Sequence, residues 1–137
     1  MKKRTIELCG KQVEIAYCAA TEQGYEIMSQ KSIQVFFPTF EKDKDGKDKM
    51  VAPPEATTGD YMMLGLAGIF AAYGSMDQES PITQNDVLYH IGRKERDLLV
   101  TTIVDLRNEW YDIPSVVKKN LTTEQDADSN EGDKEKN

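Results

Sequence analysis

Apolar and polar residues alternate strictly at the start of the chain. Ile6 and Leu8 stand between polar neighbours, Gly10-Lys11 follows, and Val13, Ile15 and Tyr17 then alternate with Gln12, Glu14 and Ala16. A period of two over this length predicts two strands joined as a hairpin across Thr5 to Cys18. Taking Gly10-Lys11 as a two-residue type II′ turn sets Leu8 opposite Val13 and Ile6 opposite Ile15, with all five apolar side chains on one face. In that arrangement Cys9 lies near the turn and Cys18 at the far end of its strand, roughly 20 Å away at about 3.4 Å per residue. A disulfide cannot span that gap.

The period then lengthens. Ala19-Ala20-Thr21 opens a short helix with Thr21 as its N-cap, Glu22 in the first turn and Tyr25 with Met28 as the buried pair. Gly24 counts against this helix, and Ser29-Gln30-Lys31-Ser32 ends it. The spacing of Ile33, Phe36, Phe37 and Phe40 predicts a second short helix capped by Ser32, although the composition also suits a strand. Residues 41–57 turn to Lys, Asp, Gly and paired prolines, which predicts a mobile surface loop. A helix follows from about Tyr61 to Ser75 with Asp60 as its cap. Gly65, Gly68 and Ala72 share one side of it, where small residues let a neighbour come close; against this, two interior glycines cost about 1 kcal/mol each relative to Ala and mark a break.

Thr83-Gln84-Asn85-Asp86 has the form of a capping box with Asp in the closing position. It opens an apolar stripe of Val87, Leu88, Ile91, Leu98, Leu99, Ile103, Leu106 and Trp110, read as one helix from about Gln84 to Tyr111 with an interruption near Gly92 and a stop at Pro114. The fold class is therefore α+β: an N-terminal β-hairpin followed by a mostly helical domain of three to five helices. Residues 1–118 form the single globular domain. Residues 119–137, with six acids and two lysines after position 119, read as an acidic disordered tail.

Composition narrows the function. The chain has 137 residues, 39% hydrophobic and 30% charged, and a formal net charge of -7, which repels a phosphate backbone and argues against sequence-independent nucleic-acid binding. The longest apolar run, Tyr61 to Tyr73, is about 20 Å as a helix, short of the roughly 30 Å of a bilayer core. The basic start Met1-Lys2-Lys3-Arg4 leads into Glu7, Lys11 and Glu14 rather than an apolar segment, so no export signal is read and the two cysteines are expected as reduced thiols in a cytoplasmic protein.

Candidate chemistry is sparse. Glu41, Asp43, Asp45, Gly46 and Asp48 resemble a calcium loop, but with Asp45-Gly46 at loop positions five and six the bidentate Glu is replaced by Ala52 and position nine is Lys49. His90, the single histidine, has no cysteine pair at metal-binding spacing. Glu7 and Glu14, opposed in the hairpin above, belong to its solvated polar face. Arg93, Lys94, Arg96 and Arg107 form a basic cluster diluted by Glu95 and Asp97. No catalytic, cofactor or metal site is expected. Partner-binding candidates are Phe36, Phe37, Phe40, Met62 and Met63, apolar residues flanking the charged loop, since Met-rich and aromatic surfaces suit amphipathic helices; the competing account is that they close the core.

The order of parts carries a resemblance. Ile6 to Glu22, the charged loop, the Ala/Gly helix, Pro81-Ile82-Thr83 and the closing Glu109-Trp110-Tyr111-Asp112-Ile113-Pro114 resemble the small tail assembly chaperones of long-tailed phages and prophages, over about residues 5–114. Gln30 departs from the pattern, standing where Gly is expected before Lys31. The resemblance implies a non-enzymatic protein of the bacterial host cytoplasm that coats the long helical tape measure protein until the tail tube assembles. By its charge, an acidic disordered tail is expected to keep such a complex soluble and to offer a site for recruiting tube subunits. An alternative is a DNA-associated regulatory or accessory protein of a mobile element, with Arg93 to Arg107 as its recognition segment.

Overall fold

The computed structural model describes residues 1–113, and the acidic tail and Pro114 lie outside the described residues. Strands β1 (Lys2–Leu8) and β2 (Lys11–Tyr17) form an antiparallel hairpin. The hairpin is followed by helix α1 (Ala19–Ser29), a 3₁₀ turn (Ile33–Phe36), a second hairpin of β3 (Thr39–Lys42) and β4 (Asp48–Ala52), helix α2 (Thr58–Gly74), a π-helical turn (Asp86–His90) and helix α3 (Arg93–Trp110). This is the α+β arrangement read from the sequence, with the N-terminal hairpin leading into helices.

The first hairpin corrects the expected turn. Cys9 and Gly10 both have positive φ, 53° and 73°, as a type I′ turn requires, and the register pairs Leu8 with Lys11, Ile6 with Val13 and Arg4 with Ile15. The turn is thus Cys9-Gly10, not Gly10-Lys11. Every partner moves by two residues, which preserves the faces, so Ile6, Leu8, Val13, Ile15 and Tyr17 are all buried. Glu7 now opposes Gln12 and Glu14 opposes Thr5, and Glu14 pairs with Lys3 at 2.8 Å. The supposed Glu7/Glu14 pair does not exist. Cys9 and Cys18 are free thiols at opposite ends of the hairpin.

Helices α2 and α3 lie against this hairpin and α1 lies against α2. Close approach depends on the glycines of α2. A Cβ on Gly65 would stand 2.7 Å from Leu99 Cγ and Cδ1, and one on Gly68 would stand 2.7 Å from the Ala16 carbonyl oxygen and 2.9 Å from Ile103 Cδ1. The core they close joins Leu64, Leu66 and Ile69 to the strand residues and to Leu99, Ile103 and Leu106.

Helix starts differ from expectation because the capping side chains sit one turn inside. Thr21 is not the N-cap of α1; Cys18 is, and Thr21 Oγ1 accepts from the Cys18 N–H at 3.1 Å while donating to the Ala16 carbonyl at 2.9 Å. Asp60 is not the cap of α2 either. Thr57 is, with Asp60 as the reciprocal member of its capping box. The Thr83 and Asp86 box forms as read, with Thr83 N–H on Asp86 Oδ2 at 2.9 Å and Asp86 N–H on Thr83 Oγ1 at 3.1 Å. The stripe from Gln84 to Tyr111 is two elements, broken at Ile91-Gly92. There the Gly92 N–H bonds Glu95 Oε1 at 3.0 Å and starts α3 afresh.

Residues 33–40 and 41–57 depart furthest. Ser32 does cap its segment, accepting from Gln34 N–H, but the helix stops after one 3₁₀ turn and Phe40 enters a strand. Where the sequence predicts a mobile surface loop over residues 41–57 with no regular elements, residues 39–52 make an antiparallel hairpin closed by Lys44-Asp45-Gly46. Asp43 Oδ1 accepts from the N–H groups of Asp45 and Lys47, both at 2.9 Å, and Gly46 takes φ 79°, the three-residue turn in which a left-handed residue closes the bend. Charge content that fails to build a core still builds a turn. Residues 55 and 56 then dock on the 3₁₀ turn, both N–H groups donating to the Val35 carbonyl at 2.9 Å.

Candidate functional site

The five residues marked for partner binding are distributed rather than gathered. Phe36 is 1% exposed, between the rings of Tyr25 and Tyr61 at 4.9 and 5.0 Å, and is a core residue. Phe37 is half-buried, edge-on to Tyr111 at 5.3 Å with the Arg107 guanidinium over its ring at 5.6 Å. Phe40 is 55% exposed on β3, opposite Met50. Met62 and Met63, partly buried, line a depression of about 50 Å³ with Leu66, Val87 and Leu88.

The larger apolar concavity lies elsewhere. A groove of about 480 Å³ runs between α1 and α2, lined by Met1, Cys18, Ala20, Gly24, Ile27 and Met28 on one side and Ala67, Phe70, Ala71, Gly74 and Ser75 on the other. Its depth comes from side-chain size. Gly24 faces Ala67 at van der Waals distance, 3.5 Å for an added Cβ, which brings the helices together at the floor, while Ile27 and Phe70 rise at the rim, 65% and 37% exposed. Sequence reasoning missed this groove. The usable signal is that Ile27 and Phe70 are large apolar residues beside the buried Tyr25, Leu66 and Ile69, a surplus that core formation does not consume.

Polar groups around α1 brace its ends. Asp60 Oδ1 accepts from Tyr25 Oη and Lys31 Nζ, both at 3.0 Å, and its Oδ2 from Thr57 N–H at 2.9 Å. Burial, the largest influence, pushes the Asp60 carboxyl up, but the Thr57 backbone bond together with Lys31, Tyr25 and the Thr57 hydroxyl outweigh it and hold the group below the usual carboxylate range. Glu22 accepts from the hydroxyls of both Tyr17, at 2.7 Å, and Tyr111, which fixes the C-terminal end of α3 to the first turn of α1. Burial and then Glu22 push the Tyr111 hydroxyl up to about 12, and the same two influences raise Tyr17.

The remaining candidates stay apart. Glu95 receives the Cys9 N–H at 2.6 Å as well as that of Gly92, joining the hairpin turn to the start of α3. Burial first and the Glu95 charge second raise the Cys9 thiol, the reverse of what activates a thiolate nucleophile. The basic cluster divides: Arg96 pairs with Asp97 at 3.2 Å, while Arg107 donates to the Phe36 carbonyl at 3.2 Å and belongs to the aromatic end of the molecule. Among the described residues no group of three or more His, Cys, Asp or Glu is placed to hold a metal ion, and no helix is long and apolar enough to cross a membrane. Compared with family models, curated proteins and solved structures, the chain matches none of them.

Proposed function

We propose that this chain is a non-enzymatic assembly chaperone of the tail-assembly type, acting in the bacterial cytoplasm and masking apolar faces of a long helical partner such as a phage tape measure protein. The observation that carries the reading is the apolar groove between α1 and α2, with Ile27 and Phe70 exposed along it. A groove between two helices, floored by Gly and Ala and rimmed by large apolar side chains, suits an amphipathic helix laid along it. Its volume lies within the roughly 300–1,000 Å³ of ordinary binding pockets and leaves room for anchoring side chains of the partner. Covering each exposed rim side chain contributes up to roughly 1.5–3 kcal/mol, enough for reversible capture and release.

The test is co-expression with a long helical tape measure protein of a long-tailed phage. That partner is expected to become soluble with the wild-type chain and to return to the pellet with Ile27→Asp, which alters an exposed rim position and no buried contact. A partner whose solubility ignores both proteins would refute the reading.

A further inference from the structure

The groove does not end at Gly74. Phe70 and Gly74 also line a neighbouring depression of about 550 Å³, whose other walls include Tyr73, Gln78, Glu79 and Ser80. An occupant lying along α2 would therefore pass from an apolar floor onto the loop that follows the helix. The charge of that loop is one-sided. Between Lys49 and Arg93 the chain carries five acids, Glu55, Asp60, Asp77, Glu79 and Asp86, and no Lys or Arg. Asp60 and Asp86 are engaged in their capping boxes, whereas Glu79, in the wall of that depression, and Asp77, two residues before it on the same loop, are exposed and form no ion pair among the described residues. Lys11, whose ammonium donates to the Pro81 carbonyl at 3.1 Å, brings one positive charge to the far end of this loop, whereas Lys31 is paired with Asp60 at the opposite end of α2.

From this geometry we infer that the groove selects a partner helix by charge as well as by shape: an amphipathic helix of another protein whose apolar stripe fills the α1/α2 groove and whose flank carries Lys or Arg where it reaches Asp77 and Glu79. The inference rests on the helix-binding function proposed above and specifies the chemistry of its partner. Opposite charges at an exposed rim contribute modestly and are screened by salt, so they discriminate among helices that the apolar floor alone would accept alike.

Two labelled peptides of roughly five helical turns test this, identical in apolar stripe and bearing either Lys or Glu at one end of the flank. Fluorescence anisotropy with the full chain is expected to show the Lys peptide binding roughly three- to tenfold more tightly at low salt, with the difference shrinking as salt rises. Asp77→Asn with Glu79→Gln should remove the difference while leaving apolar binding in place; Asn keeps the left-handed backbone of Asp77, φ 55°. Gly74→Leu should weaken both peptides, since Gly74 lines both concavities and a side chain there starts in open space, its Cβ meeting nothing within 4 Å.

Equal binding of the two peptides, lost in Gly74→Leu, would overturn the charge selection and leave the helix-binding function standing. Binding indifferent to Gly74→Leu, or conversion of a dimer of this chain to monomers by that substitution, would overturn the proposed occupant. Failure of either peptide to bind the wild-type chain would sink the partner inference and the groove-based function together.

Discussion

Gly68→Ala probes whether α2 is held against β2 by van der Waals contact or merely lies near it. Helix propensity alone favours the substitution by about 1 kcal/mol. The geometry opposes it: the new methyl would stand 2.7 Å from the Ala16 carbonyl oxygen, 2.9 Å from Ile103 Cδ1 and 3.0 Å from Ile15 Cγ1. Two of those neighbours are fully buried side chains and the third is backbone of a paired strand, so none can swing aside as the free end of a surface residue would. Overpacking of this kind costs about 1–3 kcal/mol, and an immovable carbonyl places the cost at the upper end, for a net destabilisation of about 1–2 kcal/mol. Gly74→Ala supplies the internal control. Its Cβ meets nothing within 4 Å, so that variant should gain about 0.5 kcal/mol. Urea unfolding followed by Trp110 fluorescence and far-ultraviolet circular dichroism would read both, the midpoints moving in opposite directions at constant slope. A Gly68→Ala protein as stable as wild type would refute the account of how α2 seats on the hairpin.

Phe36→Ala should cost about 3–5 kcal/mol as a buried ring is removed, and Phe40→Ala should stay within about 0.5 kcal/mol; denaturant midpoints would separate the two roles. Gln30, at φ 60°, occupies a left-handed position that disfavours side chains, so Gln30→Gly should raise stability by up to about 1 kcal/mol in the same assay. Stability should fall below about pH 4. The Asp60 carboxyl is held low in the folded state, so its contribution is present above its unfolded value and is lost as pH drops through the folded one; Asp60→Asn should flatten that limb of a Tm-against-pH profile. At the alkaline end the sign reverses. Tyr111 ionises near 10 when free and about 12 when folded, so its contribution is intact below pH 10 and lost on rising through about 12, and Tyr111→Phe should remove that part of the slope.

Periodicity in the sequence determined the faces of the first hairpin, because a period of two fixes which side chains turn inward whatever turn closes the loop. It also determined the close approach of α2 through Gly65 and Gly68, and the local capping box of Thr83 and Asp86, whose partners are three residues apart. Only the tertiary structure decided the rest. The turn at Cys9-Gly10 rather than Gly10-Lys11 depends on a left-handed non-glycine residue whose N–H is held by Glu95, 86 positions away. Phe36 was claimed by a core built from distant elements; its apolar chemistry suited a partner surface and the core alike, and only packing chose between them. Residues 39–52 formed a hairpin from side-chain and backbone hydrogen bonds that no hydrophobic pattern announces. The groove exists only where α1 meets α2: Ile27 and Phe70 are 43 positions apart, and a concave surface is a property of two packed faces that neither helix carries alone.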